Sequence, residues 1–285
     1  MSALPQAIGF GILASIVLYF AGRAKYFSLQ KEEMKWLFPI RWYHVLTVFG
    51  MYFAVVIFLV PLISSSIRQY LSYSPSIALA TWLNFLASFI ILTSIALYCS
   101  VIPREIAWRI WRRSDRSFFF QDFGFAFLSF VVAFPFVIFL NEVFDIILYY
   151  FFQISELPDQ LAVRFLKMTF EYPTYLFLST VTIVVFAPML EEVLFRGFLQ
   201  SFIRQHLGSK SAILITALCF SFFHYSPEQG LSNISIIGSL FAIALFLGFV
   251  YEKRGSLAAS IALHMLFNAV NVLNLYYLGG FPKAI

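Results

Sequence analysis

Long apolar runs recur along this chain of 285 residues, and they constrain its fold more than any other feature. Each run is about 20 residues long, which is the length that an α-helix needs to cross the hydrocarbon core of a bilayer. Alternating strand patterns do not recur, and a segment inside a bilayer must satisfy its own backbone hydrogen bonds. The sequence therefore predicts an all-α integral membrane protein.

Composition supports this prediction, because 61% of the residues are hydrophobic and only 12% are charged. A soluble globular chain is typically about 25% charged. We expect about eight transmembrane helices. They lie at about residues 4–21, 43–63, 77–101, 121–150, 172–190, 211–225, 234–251 and 256–278.

Basic residues divide unevenly between the two sets of loops. Fifteen of the 19 Lys and Arg residues fall in the loops after the first, third, fifth and seventh spans. Because cytoplasmic loops carry an excess of positive charge, these loops are predicted to be cytoplasmic and both termini non-cytoplasmic. The charges are dispersed over several loops, so the net charge of +5 does not indicate a nucleic-acid partner. The expected localisation is a multi-pass protein of the membrane, the cell membrane in a prokaryote; no pattern predicts an oligomeric state.

Two adjacent carboxylates, Glu191 and Glu192, follow an apolar run. A carboxylate at membrane depth costs about 2.5–3.5 kcal/mol on insertion scales, so such a pair is a functional hypothesis by default. Glu192 and Arg196 are four residues apart and share a helix face, which predicts an ion pair. One arginine neutralises one glutamate, and Glu191 points about 100° away from that face. We therefore expect Glu191 to be catalytic and Glu192 to be either catalytic or structural.

The helix that carries the glutamates is predicted to bend near Pro188 and to end at Gly208, a good C-terminal cap. Glu191 and His224 lie 17 and 16 residues on either side of this glycine. At 1.5 Å per residue both are roughly 24–26 Å from the turn, so an antiparallel hairpin brings them level. His264 lies 9 residues beyond Gly255, roughly 14 Å from another cytoplasmic turn.

His264 and Asn268 form a second i,i+4 pair on an apolar helix. The pair is either part of a site with Glu191 or a packed polar pair that bridges helices, which is common in membrane interiors. The remaining histidines, His44 and His206, are predicted to be solvated. The remaining intramembrane acids, Glu142 and Asp145, are predicted to be structural or interfacial.

Three motifs on successive apolar helices resemble those of a known family. They are Glu191-Glu192-x-x-x-Arg196, Phe220-x-x-x-His224 and His264-x-x-x-Asn268. The chain resembles the CPBP intramembrane proteases, also called the type II CAAX prenyl endopeptidase or Abi family. The resemblance covers about residues 172–275. It implies one membrane domain, in which residues 1–120 supply N-terminal helices of unassigned role and residues 121–285 form the catalytic core.

The resemblance also implies roles for these residues. Glu191 would be the general base that activates a water, and His224 would help to hold or deprotonate it. His264 and Asn268 would stabilise the oxyanion, and Glu192 would orient the site through Arg196. Phe220 would be structural. The expected substrate is a prenylated CAAX-type or other membrane-tethered peptide, or a small peptide such as a bacteriocin, reached from the cytoplasmic side.

The sequence is also compatible with a metal site and with two other functions. Glu191, His224 and His264 could hold Zn²⁺ with a water as the fourth ligand, but HExxH is absent and the three residues lie on three helices. The expectation is a metal-independent site, with zinc as the alternative. Buried carboxylates also suit a proton-coupled transporter, although no inverted repeat is visible. A non-catalytic interaction or immunity protein is the third hypothesis.

Overall fold

A computed structural model describes residues 3–29, 40–71, 77–111, 119–153 and 159–278. These residues form helices and no β-strand, which confirms the all-α prediction. The twelve α-helices are α1 (Ala3–Arg23), α2 (Trp42–Phe53), α3 (Val60–Leu71), α4 (Ile77–Val101), α5 (Arg104–Trp111), α6 (Phe119–Phe152), α7 (Leu161–Thr169), α8 (Pro173–Val181), α9 (Ala187–Glu192), α10 (Ser201–Phe223), α11 (Ser232–Arg254) and α12 (Leu257–Leu278). Three π-helices cover Ala54–Leu59, Thr182–Phe186 and Val193–Gln200, and a 3₁₀ turn covers Pro227–Gln229.

Within the described ranges, seven helical stretches are long and apolar enough to cross a membrane. The longest, Pro173–Phe223, joins the predicted spans 172–190 and 211–225 in one run of helix. Its backbone is non-helical at Gly208, where φ is 77° and ψ is 170°. That positive φ suits a residue without a Cβ, so the predicted break at this glycine is confirmed. The chain is a multi-pass membrane protein, and the orientation of its termini stays a prediction.

The chain divides into two compact units that interleave along the sequence. The first comprises residues 1–37, 112–160 and 203–264, and the second comprises residues 38–111, 161–202 and 265–285. Each unit is described by itself below. The predicted division at residue 120 separates N-terminal helices of unassigned role from the region that contains the three motifs. It stays a prediction.

The first unit packs α1 and α11 against the long helix α6. Charged groups close one end of it: Arg254 donates from Nε to Asp122 Oδ1 at 2.9 Å, and Arg204 pairs with Glu252 at 2.9 Å. Tyr26 donates to Ser129 Oγ at 2.8 Å. Burial raises the pKa of Tyr26 to about 12, so its phenol remains a donor at neutral pH.

A second polar cluster joins α6 to α11 farther along both helices. Ser235 donates to Asp145 Oδ1 at 2.6 Å, Asn141 donates to Asp145 Oδ2 at 3.1 Å, and Ser239 donates to Asn141 Oδ1 at 3.1 Å. Asp145 lies 23 residues after Asp122, about 34 Å along α6 at 1.5 Å per residue. That separation is close to the roughly 30 Å thickness of a bilayer core. The two polar clusters therefore bracket an apolar span, which supports the predicted structural role of Asp145.

A glycine allows α11 to approach α6 closely. A Cβ built on Gly238 would overlap the ring of Phe144. Because a ring in a packed helix pair cannot shift freely, Gly238→Ala is expected to destabilise the protein by about 1–3 kcal/mol. Gly124 of α6 is the matched control, since a Cβ there meets nothing within 4 Å.

Thermal unfolding of purified protein in one detergent would measure both variants. Gly124→Ala is expected to be neutral or to stabilise by up to about 1 kcal/mol, because alanine favours helix. Equal melting temperatures for the two variants would contradict the close approach at Gly238.

The second unit packs α2, α4 and α5 around the π-helix Val193–Gln200 and its neighbours. Phe85 of α4 contacts Phe186, with ring centroids 5.2 Å apart. Phe170 contacts Tyr276 of α12, with centroids 5.5 Å apart. The first contact holds the helix that carries the two glutamates against α4, and the second joins the segment before that helix to α12.

Candidate active site

The glutamates lie on one run of helical residues, Pro173–Gln200, that enters a π-helical register twice. It passes from α8 through a π-helix to the short helix α9, and then into a second π-helix after Glu192. Pro188 stands in the first turn of α9, directly after the first π-helix. Local π adjustments are a known way for membrane helices to accommodate a proline. They are also frequent at functional sites.

Glu192 and Arg196 form the predicted ion pair inside this helix. Arg196 Nη1 donates to Glu192 Oε1 at 2.8 Å, and both side chains are fully buried. Arg196 also interacts electrostatically with Glu191. The guanidinium therefore serves both carboxylates, whereas the sequence had suggested that it balances Glu192 alone.

Aromatic side chains from two other helices support the helical turns after the glutamates. Phe195 meets Phe49 of α2 edge-on, with ring centroids 5.4 Å apart and planes at 89°. The ring centroids of Phe198 and Tyr98 of α4 lie 6.4 Å apart. Both phenylalanines are buried, so rigid packing holds the ion pair in place.

His44 takes part in this support, and the prediction that it is solvated was wrong. It is only 4% exposed, and its Nδ1 lies 2.6 Å from the hydroxyl of Tyr98. A histidine at the edge of an apolar run carries no local signal for a partner on another helix, and here that partner is Tyr98. His206 is exposed, as predicted.

Glu191 is half-buried, in contrast to its fully buried neighbour. Tyr52 of α2 lies within electrostatic range of this carboxylate. Sequence reasoning missed Tyr52, although a phenol inside the apolar run 43–63 is a signal that could have identified it. A carboxylate that remains accessible beside a fully buried ion pair is a suitable position for a general base.

Asn268 belongs to the same unit as the glutamates. Its Nδ2 donates to the backbone carbonyl of Ile183, in the first π-helix, at 2.9 Å. An amide nitrogen carries two hydrogens, so one remains after this bond is made. The side chain is therefore anchored and still able to donate.

Phe220 brings the two predicted histidines together in the other unit. Its buried ring lies 4.8 Å from the ring of His224 and 5.9 Å from that of His264, between centroids. His224 Nδ1 lies 2.9 Å from the carbonyl oxygen of Phe220. A carbonyl only accepts, so Nδ1 carries a proton, and the Nε2 of a neutral ring is then an acceptor.

The predicted site residues thus fall into two groups. Glu191, Glu192, Arg196 and Asn268 belong to one unit, and Phe220, His224 and His264 belong to the other. The meeting of the glutamate with the histidines stays a prediction. In the described part of the chain, no three His, Cys, Asp or Glu side chains form a group that could hold a metal ion.

These features define a class: a multi-pass membrane protein whose helices carry an ionised pair, an accessible carboxylate and two histidines around one aromatic ring. Residues 173–270 match the family described as type II CAAX prenyl endopeptidase Rce1-like. The matched range contains all three motifs, so the match confirms the resemblance that they indicate. Comparison with curated proteins and with solved structures finds no match.

Proposed function

We propose that this chain is an intramembrane endopeptidase that hydrolyses a peptide bond in a prenylated or otherwise membrane-tethered substrate. The observation that carries the proposal is the pair of glutamates in a membrane helix that matches the endopeptidase family. One glutamate is neutralised in a fully buried ion pair, and the other is accessible. A carboxylate at membrane depth beside a pair that is already matched charge for charge is a functional hypothesis by default.

In the proposed mechanism Glu191 accepts a proton from a water molecule as that water attacks the scissile carbonyl carbon. The C–N bond then breaks, and Glu191 returns the proton to the leaving amine, so the carboxylate is regenerated. His224 would hold the water through the lone pair on Nε2. This division of roles is typical of general acid–base catalysis by a carboxylate.

Asn268 and His264 would donate hydrogen bonds to the oxyanion of the tetrahedral intermediate. The second hydrogen on Asn268 Nδ2 suits that role, because the first is used by the Ile183 carbonyl. Removing one such donor typically costs about 2.7–4 kcal/mol of transition-state stabilisation. Arg196 would hold Glu192 in its ion pair and keep the helix in register, and the peptide would enter from the cytoplasmic side.

The test is cleavage by purified full-length protein in liposomes. Substrates would be a farnesylated CAAX peptide, the same peptide without the lipid, and a library of other membrane-tethered peptides. We expect cleavage of at least one tethered peptide, loss of it in His264→Ala, and full activity with a chelator. Loss on chelation that added Zn²⁺ restores would replace the glutamate mechanism by a metal mechanism. A folded protein that cleaves no peptide would overturn the proposal.

A further inference from the structure

The first π-helix leaves one backbone carbonyl without a donor from its own helix. In a π-helix each N–H donates to the carbonyl five residues earlier. The Ala187 N–H follows this pattern and donates to the carbonyl of Thr182. The next bond in the same register would run from residue 188 to the carbonyl of Ile183. Residue 188 is proline, which has no N–H.

The α-helical alternative is also closed to this carbonyl. Its donor would be the N–H four residues later, that of Ala187, which is directed to Thr182 instead. Ile183 is half-buried, and a backbone carbonyl that lacks a donor is costly at membrane depth, where little water replaces the lost bond. The change of register and Pro188 together therefore create an acceptor that must be satisfied from elsewhere.

Asn268 supplies the missing donor. Its Nδ2 lies 2.9 Å from the Ile183 carbonyl oxygen. A flipped amide would turn Oδ1 toward another oxygen and lose the bond, so this contact also fixes which way the amide faces. All of these groups belong to one unit, together with Glu191, which follows Pro188 by three residues.

We propose that Pro188 is a positioning residue that acts through Asn268. Because proline has no backbone N–H, the Ile183 carbonyl stays available to accept a hydrogen bond from Asn268. The amide that is held in this way directs its second hydrogen toward the oxyanion. The inference rests on the proposed function for its catalytic consequence, while the anchor itself is a property of the fold. The helical run that carries Glu191, the proposed base, then also orients Asn268, the proposed oxyanion donor.

Melting temperatures of four full-length proteins in detergent test the anchor without any substrate. They are the wild type, Pro188→Ala, Asn268→Ala and the double variant. Asn268→Ala alone leaves the half-buried Ile183 carbonyl unsatisfied, so we expect its melting temperature to fall by about 2–10 °C. In the Pro188→Ala background the loss should be clearly smaller, because the restored N–H can bond to Ile183. Equal losses in both backgrounds would overturn the proposal.

A proline elsewhere provides the matched control. Pro135 lies inside α6, in the other unit. Pro135→Ala should therefore combine additively with Asn268→Ala, which excludes a general effect of removing a helical proline. If Asn268→Ala does not fold, Asn268→Ser replaces it, because serine is too short to keep the bond.

Kinetics distinguish a positioning role from a merely structural one. We expect Pro188→Ala to lower kcat about 10-fold with KM nearly unchanged, because a donor displaced by even about 1 Å weakens catalysis. It should lower kcat no further when Asn268 is already alanine. An unchanged kcat in Pro188→Ala overturns the positioning role. A wild type that cleaves nothing overturns the proposed function, and the melting temperatures still decide the anchor.

Discussion

Glu191→Gln is expected to lower kcat for peptide cleavage about 10²–10⁴-fold, the usual contribution of a general base. Glutamine has nearly the same shape as glutamate but cannot accept a proton. Because substrate contacts are kept, KM should change little, so the loss would lie in the transition state rather than in binding. Steady-state kinetics in liposomes, on whichever tethered peptide the wild type cleaves, would measure both constants.

Glu142→Gln is the control, since it removes another half-buried carboxylate from a membrane helix. It is expected to leave kcat within about a factor of two, because Glu142 has a predicted structural or interfacial role. A general base must lie within hydrogen-bond reach of the proton that it takes. Full activity in Glu191→Gln would contradict the glutamate mechanism. An equal loss in both variants would instead indicate a general effect of intramembrane charge.

Much of the fold follows from local rules that a sequence displays. Apolar runs of membrane length predicted the spans, because the bilayer allows few other ways to satisfy the backbone. The Glu192–Arg196 pair followed from i,i+4 spacing. The break at Gly208 followed from the freedom of glycine at positive φ. Each of these depends on residues that are close along the chain.

Other features of the candidate site depend on contacts between helices and could not be predicted. A π-helix and an α-helix have the same hydrophobic pattern over five residues, so the sequence of Thr182–Phe186 does not indicate that this segment is a π-helix. The partner of the Ile183 carbonyl lies 85 residues away along the chain. His44 was misplaced for a related reason, because its partner Tyr98 is on another helix. Single-sequence reasoning identifies polar residues at membrane depth, but it does not pair them.

Arg196→Met is expected to have the largest effect on stability. Both partners of its ion pair are fully buried, and removal of one partner leaves a charge in a low-dielectric site. Breaking a buried pair in this way typically costs about 3–5 kcal/mol. Unfolding by denaturant in a fixed detergent, followed by helical circular dichroism, would measure the loss. Arg254→Met is a graded control, because Arg254 is 21% exposed in its pair with Asp122, so a smaller loss is expected.

The double variant Glu192→Leu, Arg196→Met separates charge from packing. Apolar residues of similar volume often replace a buried ion pair with little loss of stability. The double variant should therefore recover most of the stability that Arg196→Met loses. If it is as unstable as the single variant, the stability comes from other contacts of the arginine, and the charge argument is wrong. If it recovers stability but loses cleavage, then the ion pair serves the reaction rather than the fold.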